Sequence, residues 1–297
     1  MRLRRVAKAT KSGLKRYPKA LLESVRDPSG KRAPRRTPTG ALPDLGRHDM
    51  AAVWLGHASV LLHIAGLNVL ADPVFAHRIG VSVGGLTFGL PRRAPVPLHP
   101  EDLPPIDIIL ITHAHFDHLD KPTLRRLAHE RTTVITAQRT ARLIPRGYGD
   151  VVELGWDRTL RVGDLELAAL RPAHWGARAA VDRRRGYNSY IIRPRGDRGV
   201  FVAGDTAYTD VFNGLSGLAL AVLGIGSYAH WEHTHATPEE AWAMFRASGA
   251  AHLLPVHHST FAIGDEHADE PMTRLLAAAG REHHRIIQAP AGTVWAA

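Results

Sequence analysis

The stretch "ILITHAHFDHLD", residues 109–120, places three histidines and two aspartates directly after an apolar run. The apolar run is typical of a buried strand. The polar side chains that follow are costly to bury unless a charged partner compensates them. Because imidazole and carboxylate groups bind zinc, iron and manganese, the pattern H-x-H-x-D-H predicts a metal site at the end of a strand.

This segment offers donors for more than one ion. His113 and His115 can bind one metal ion, while Asp117 and His118 can bind a second a few ångströms away. The alternative is a helix start with solvated histidines, but this many ligand-type side chains at this spacing favour metal. Asp120 falls outside the ligand spacing and is better interpreted as a helix cap or a supporting partner.

Further ligands are expected where other strands end, because one loop supplies too few donors. His174, Asp205 and either His257 or His258 each follow a predicted strand. Taken singly, His174 could be a core histidine and Asp205 a helix cap. Their common position after strands favours one shared site, in which Asp205 is suited to bridge two ions.

The composition is that of a folded protein without cysteine. The chain has 297 residues, 44% of them hydrophobic and 22% charged. The lack of cysteine excludes a disulfide framework, a thiolate ligand and a cysteine nucleophile, and it agrees with a cytoplasmic location. No apolar run has the length of a membrane span, and the N-terminus lacks the pattern of a signal peptide.

The net charge of +10 is concentrated near the N-terminus. Residues 1–40 contain 13 Lys and Arg against 2 Asp and Glu, so the remainder is close to neutral. We predict a basic, partly flexible extension over residues 1–45, with a short helix near 18–26, and one globular domain over 46–297. The neutral body predicts no specific nucleic-acid partner. The extension is expected to be a solvated lead-in, with peripheral contact to anionic lipid as the alternative.

From residue 50 onward, strand-like runs come first and then alternate with helical segments. This order predicts one α/β domain in which two sheets lie between helical layers. The stretch 73–105, rich in Gly and Pro, is predicted to be a long loop. Helices are expected at 122–129, 138–144, 237–249 and 268–279.

The combined motifs resemble those of the metallo-β-lactamase-fold hydrolases. The similar stretches are "WLGHASVLLHIAGLNVLADPVF", "PEDLPPIDIILITHAHFDHLD", "PAHWGAR", "FVAGDTAY", "LGIGSYAHWEHTHATPEEA" and "PVHHSTF". Within that superfamily the chain is more similar to the N-acyl-phosphatidylethanolamine-hydrolysing phospholipases D and their bacterial relatives than to the L-ascorbate-6-phosphate lactonases. The resemblance implies a four-layer αββα sandwich, here a hydrolase domain over 46–297, with a metal pair at one edge.

The resemblance also implies a ligand set. It assigns the first ion to His113, His115 and His174, the second to Asp117, His118 and His257, and a bridging position to Asp205. His257 is preferred to His258 because the family's ligand lies two residues after the proline of the strand, here Pro255. Since the cysteine ligand of many true β-lactamases is absent, antibiotic hydrolysis is not expected.

The implied function is hydrolysis by a metal-activated water, with a phosphodiester as the substrate in a phospholipase D-like reaction. Two divalent ions are the implied cofactors, with zinc favoured and manganese or iron as alternatives. A lactonase or other ester hydrolase on the same metals is the alternative function, and a non-catalytic metal-binding protein is less favoured. The expected partner is a small-molecule or phospholipid substrate.

Several residues are expected to shape the substrate pocket. By resemblance, His235 matches a histidine of the phospholipase substrate site, where it could protonate a leaving group or hold a phosphate oxygen. A solvated histidine is the alternative. His57 is interpreted as a pocket-floor or supporting residue, and Tyr228 and Trp231 as pocket walls.

Charged side chains complete the predicted site. Asp117 and Asp205 are expected to take part in catalysis as metal ligands. Arg92, Arg93 and Arg178 are candidates to pair with a phosphate, although a solvated position is favoured for any one of them.

Overall fold

The computed structural model describes residues 42, 44–84, 86–178, 182 and 184–297. Most of the predicted extension, and the helix predicted near 18–26, lie outside the described residues. The strands, in chain order, are β1 (Met50–Trp54), β2 (Val60–Ile64), β3 (Leu67–Ala71), β4 (Arg78–Val83), β5 (Leu86–Pro91), β6 (Ile108–Ile111), β7 (Thr133–Ala137), β8 (Asp150–Leu154), β9 (Thr159–Val162), β10 (Leu165–Leu170), β11 (Ser189–Pro194), β12 (Gly199–Val202), β13 (Leu218–Gly224), β14 (His252–Val256) and β15 (Val294–Ala296). The α-helices are α1 (Lys121–Arg126), α2 (Pro238–Ala247) and α3 (Glu270–Ala279).

Within the described part of the chain, the strands form two large sheets and one hairpin. The seven-stranded sheet has the order β15-β1-β2-β3-β6-β7-β8, the six-stranded sheet has the order β14-β13-β12-β11-β10-β9, and β4 pairs with β5. Strands β12, β13 and β14 are parallel. Because β10 and β12 are both antiparallel to β11, they end at the same edge as β14.

Alternating side chains of β2 show how the layers are built. Leu62 lies between the two sheets, in one cluster with Leu167 and Val222 of the second sheet. Its neighbour Leu61 lies on the opposite face, in a cluster with Leu124 of α1, since successive side chains of a strand alternate. Helices α2 and α3 cover the outer face of the second sheet. The expected four-layer αββα sandwich is confirmed.

Two of the helices begin where the sequence places a cap. At the start of α2, Thr237 accepts a hydrogen bond from the Glu240 amide, and the Glu240 carboxylate accepts one from the Thr237 amide. At the start of α1, the Asp120 carboxylate accepts a hydrogen bond from the Thr123 amide. The interpretation of Asp120 as a helix cap is confirmed.

The prediction of a loop throughout 73–105 is wrong at its centre, where β4 and β5 pair. Val83 lies opposite Leu86, so only a two-residue connection joins the strands. The alternation of apolar and hydroxyl residues was the strand signal, and the glycines concealed it. A Cβ on Gly80 would lie 2.1 Å from a backbone oxygen, and one on Gly89 would lie 2.0 Å from another. These glycines therefore permit close strand pairing.

Other differences from the predicted elements are smaller. The helix predicted at 138–144 is wrong, since only a 3₁₀ turn is found there, at Ala141–Leu143. Pro145 disfavours a helical conformation at Ile144, which cuts the helical segment short. Strands β9 and β15 were not predicted.

No helix in the described ranges has the length and apolar character needed to cross a membrane.

Candidate metal centre

The predicted ligands meet at one edge of the sandwich, where β6 of the seven-stranded sheet and β10, β12 and β14 of the six-stranded sheet end. The residues brought together are His113, His115, Asp117, His118, His174, Asp205 and His257. Gly204, with φ +62°, precedes Asp205, and a Cβ there would lie 2.9 Å from the side chain of Thr112. Glycine therefore lets Asp205 come close to the loop that follows β6.

The first donor group consists of His113, His115, His174 and Asp205, whose ligand atoms lie within 4.8 Å of one another. His115 Nδ1 is 2.8 Å from His113 Nε2 and 3.4 Å from His174 Nε2. Asp205 Oδ2 is 3.7 Å from the Nε2 atoms of both His113 and His174. Three imidazoles and one carboxylate are a donor set that zinc accepts.

The second donor group consists of Asp117, His118 and His257, again with Asp205. His118 Nε2 lies 3.2 Å from Asp205 Oδ2 and 3.7 Å from Asp117 Oδ2. His257 Nε2 lies 3.1 Å from Asp205 Oδ1 and 3.3 Å from Asp117 Oδ2. Asp205 thus faces both donor groups, in the position where the sequence predicts a bridging ligand.

Hydrogen bonds on the outer side of two histidines show that these donors fit metal ions. His118 Nδ1 donates to Asp72 Oδ2 over 2.7 Å, and His174 Nδ1 donates to the Thr234 carbonyl over 2.9 Å. In the neutral imidazole each Nε2 is then left with a lone pair, and both lone pairs lie near Asp205. The buried His118 Nε2 has no hydrogen-bond partner. Lone pairs gathered around a carboxylate repel one another unless a proton or a metal ion lies among them. Burial alone would lower the pKa of His118, but the carboxylates, Asp205 foremost, raise it well above its usual value. The group therefore attracts positive charge, and its residues fit the implied ions.

Charge states in the first donor group also suit metal binding. Burial, reinforced by His174, lowers the pKa of His115 to about 3. Burial, reinforced by His118, lowers the pKa of His113 well below its usual value. Burial alone would raise the pKa of Asp205, but the surrounding histidines, His118 foremost, hold that pKa well below its usual range. At neutral pH the imidazoles of His113 and His115 are therefore neutral and the Asp205 carboxylate is ionised.

Asp72 is a candidate site residue that the sequence interpretation missed. It is buried directly after β3 and accepts hydrogen bonds from the Thr112 amide, the Thr112 hydroxyl and His118 Nδ1. It therefore fixes the ring orientation of His118 and joins β3 to the metal loop, residues 113–119. The available signal was a carboxylate directly after an apolar strand, the same signal that identified Asp205.

His57 lies behind the second donor group. Its Nε2 is 3.0 Å from Asp117 Oδ2, and its ring is 4.0 Å from the ring of His257. Both His57, with φ +52°, and His257, with φ +63°, have left-handed backbones. The His257 amide donates to the His57 carbonyl over 2.9 Å, which links these two strained positions. His57 is thus placed to support Asp117.

His235 reaches the rim of the cluster. Its Nδ1 is 3.8 Å from Asp205 Oδ2, and 13% of its side chain is exposed. Its ring centre is 5.3 Å from those of both His174 and His257. This position, between the donors and solvent, suits a group that contacts a substrate.

The predicted pocket walls, Tyr228 and Trp231, contact side chains other than the metal-binding donors. The Tyr228 hydroxyl donates a hydrogen bond to Glu270, the first residue of α3. Trp231 stacks against His233 with ring centres 6.0 Å apart. His258 stacks on Trp54 at 4.7 Å, so of the two adjacent histidines it is His257 that lies in the cluster.

Arg178 clamps the metal loop. Its Nη1 donates to the carbonyls of Ala114 and Leu119, over 3.0 and 2.8 Å. Its guanidinium carbon lies 4.1 Å from the ring centre of Phe116, within the same loop. These contacts give Arg178 a loop-positioning role, so the solvated position favoured from the sequence is wrong for this residue, and its donors are used inside the protein.

Arg92 likewise uses its guanidinium inside the protein. It is buried, donates to the Val74 carbonyl over 2.5 Å, and lies 4.8 Å from the ring centre of Phe261. It therefore holds the base of the β4–β5 hairpin. Arg93 is exposed.

Known proteins are similar to this chain in sequence and in fold. Residues 67–258 match the family model described as a beta-lactamase superfamily domain. An uncharacterized protein of Mycobacterium tuberculosis is 33% identical over 265 residues, which cover 82% of this chain and 68% of that protein. The mitochondrial N-acyl-phosphatidylethanolamine-hydrolyzing phospholipase D of Saccharomyces cerevisiae is 29% identical over 238 residues, covering 75% of this chain and 50% of that protein. The isothiocyanate hydrolase from Delia radicum gut bacteria shares the fold, with a TM-score of 0.66 at 18% identity, covering 83% of this chain and 98% of that chain.

Proposed function

This chain belongs to the beta-lactamase superfamily, and on that basis we propose that it is a metal-dependent hydrolase using two divalent ions to cleave a phosphodiester. The observation that carries the proposal is the pair of donor groups, since Asp205 belongs to the first and also lies 3.2 Å from His118 and 3.1 Å from His257 of the second. Imidazole and carboxylate donors favour zinc, with manganese or iron as alternatives.

The chemistry divides between the ions and the protein. When bound, two such ions would supply a water of lowered pKa and stabilise negative charge on the attacked group. The protein holds the donors in place through Asp72, Thr234 and the clamp of Arg178. Burial lowers the pKa of His235 well below its usual value, so its ring is neutral at neutral pH. From the rim, His235 is placed to donate a hydrogen bond to a phosphate oxygen of the substrate.

The choice of a phosphodiester is supported by the yeast relative, whose name describes a phospholipase D. The fold by itself does not select a substrate, since a protein of the same fold is an isothiocyanate hydrolase. Lactone or ester hydrolysis on the same metals is the alternative.

One face of the β4–β5 hairpin supports a lipid substrate. Alternate pairs along the hairpin put its apolar side chains on one face, namely Ile79, Leu90, Val81, Phe88, Val83 and Leu86. The inner pair is buried in a cluster with Phe116 of the metal loop, whereas Val83 at the tip is 63% exposed. This apolar surface runs from the metal loop into solvent, where acyl chains could lie against it. We further propose that the basic residues 1–40 make peripheral contact with anionic lipid.

Metal analysis combined with a substrate panel tests the proposal. Purified protein should contain about two ions per chain, and it should hydrolyse phosphodiesters or N-acyl phospholipids in preference to lactones. Asp205→Ala serves as the inactive control for every substrate. One ion per chain would contradict the two-ion site. Turnover of lactones alone would show that the substrate is a lactone and not a phosphodiester.

Deletion of residues 1–40 tests the proposed lipid contact separately. Activity on a soluble substrate should be unchanged, while activity on anionic vesicles should fall because the basic charge is lost. A large loss on the soluble substrate would show that the segment contributes to the fold or the site.

A further inference from the structure

A groove of about 540 Å³ opens beside the first donor group. Its wall includes the ligand His174 together with Arg171, Trp175, Tyr187 and His233. The groove therefore begins at the reacting centre and leads away from it along the segment that follows β10.

A positive charge lies in this groove. Arg171 is exposed, and its guanidinium carbon lies 4.4 Å from the ring centre of Trp156. The Trp156 indole donates to the Tyr187 carbonyl over 2.6 Å, which fixes the ring beneath the guanidinium. Among the described residues no carboxylate forms an ion pair with Arg171. The cation is thus held in place by stacking and keeps its donors for a ligand.

One aromatic side chain of the groove lies against the metal centre. Trp175 is 44% exposed, and its ring centre lies 4.7 Å from that of the ligand His115. Arg171 and His174 are three residues apart, so their Cα atoms are at most about 10 Å apart. Both residues line the same groove, so one ligand could contact the guanidinium of Arg171 and reach the centre at His174.

We infer that this groove binds one arm of the substrate and selects an arm that carries a second anionic group, a carboxylate or a phosphate. The inference rests on the proposed function, because the scissile phosphate is assigned to the metal centre. A carboxylate or phosphate matches the forked donors of arginine, whereas a neutral N-acylethanolamine arm would leave them unused. The preferred substrate is accordingly a diester with an acidic head group.

Three phosphomonoesters with the same three-carbon chain test this inference by calorimetry on the zinc-loaded full-length chain. Their chains end in a methyl group, a carboxylate or a second phosphate, so the second and third probes distinguish the two anions. We expect at least one anionic probe to bind about tenfold more tightly than the methyl-ended probe, as one arginine–anion pair would provide. Arg171→Gln should remove that preference, and Arg171→Lys should retain part of it.

Arg158→Gln is the matched control, since it removes the same charge from an exposed position that does not line the groove. It should leave the preference intact. Equal affinity for all three probes, or a preference that survives Arg171→Gln, would overturn the inference. If Arg158→Gln also lost the preference, the preference would be a general effect of charge, and this result too would overturn the inference.

The two proposals can fail independently. An anion preference without any diester turnover would support the role of the groove and contradict the proposed reaction. Diester turnover without an anion preference would support the proposed reaction and contradict the role of the groove.

Discussion

The metal centre and the groove beside it are built in contrasting ways. In the centre, His118 and His174 are buried and each is oriented from behind by a hydrogen bond, to Asp72 and to Thr234. In the groove, Arg171 is exposed and stacks on the ring of Trp156. Buried, fully oriented donors suit a fixed reaction, while exposed side chains can change with little effect on the fold.

The contrast leads to different expectations for substitutions in the two regions. A change in the centre leaves buried charges or lone pairs uncompensated, so it should damage metal binding and activity together. A change in the groove or the hairpin should alter substrate preference and leave the centre intact.

The largest effect is expected from Asp205→Ala. Both donor groups lose their shared carboxylate, so activity should fall on the order of 1,000-fold or more and the metal content should drop. Steady-state kinetics and elemental analysis measure the two effects, and circular dichroism checks the fold. A folded variant that keeps two ions and full activity would show that Asp205 is not a bridging ligand.

Asp72→Asn should produce a smaller loss. The substitution preserves shape but removes the carboxylate that orients His118, so metal affinity should fall by about 10- to 100-fold. Competition with a chelator measures the affinity. Asp107→Asn is the matched control, because Asp107 accepts a hydrogen bond from the Asn68 amide before β6, at the opposite end of that strand. If both variants behave alike, the orienting role of Asp72 is not supported.

Arg178→Gln should weaken the clamp on the metal loop. Loss of its charged hydrogen bonds to two carbonyls should lower the free energy of unfolding by about 2 kcal/mol and also lower metal affinity. Arg193 offers a control, since it too donates to two carbonyls, of Gly217 and Ser216, without contacting the metal loop. Denaturant unfolding and metal titration should show a loss of affinity for Arg178→Gln and none for Arg193→Gln.

The smallest effect on soluble substrates is expected at the hairpin tip. Val83→Ser should leave turnover of a short-chain diester unchanged and reduce turnover of vesicle-borne substrate several-fold, since it removes exposed apolar surface. Val211→Ser is the control, because Val211 is also exposed, at 48%, but lies outside the hairpin. Equal vesicle activity in the two variants would argue against hairpin contact with lipid.

The sequence predicted most of the strands because their apolar runs are distinct. It failed in the hairpin, where glycines needed for close pairing of Gly80 with Gly89 resemble the glycines of a loop. It also failed at 138–144, where Pro145 limits a helical segment to one 3₁₀ turn. In both places local composition suggested one structure, and strand pairing or a neighbouring proline determined another.

The candidate site was predictable to the extent that its donors follow strands. The structure brings all seven predicted ligands together, although their roles in binding metal remain predictions. The roles of Asp72 and Arg178 were not predictable, because each depends on a contact between distant segments, His118 with Asp72 and the metal loop with Arg178.

By itself, the sequence predicted one α/β domain with two sheets and the chemical types of the donors, because apolar periodicity and ligand spacing are local properties of the chain. The family and the four-layer sandwich were implied by the resemblance of its motifs to those of known hydrolases. The tertiary structure decided which nitrogen of each histidine faces the centre and which arginines hold loops. It also decided that Arg171 lies in a groove beside His174, where it stacks on Trp156. These features depend on the packing of residues far apart in sequence, and spacing along the chain does not encode them.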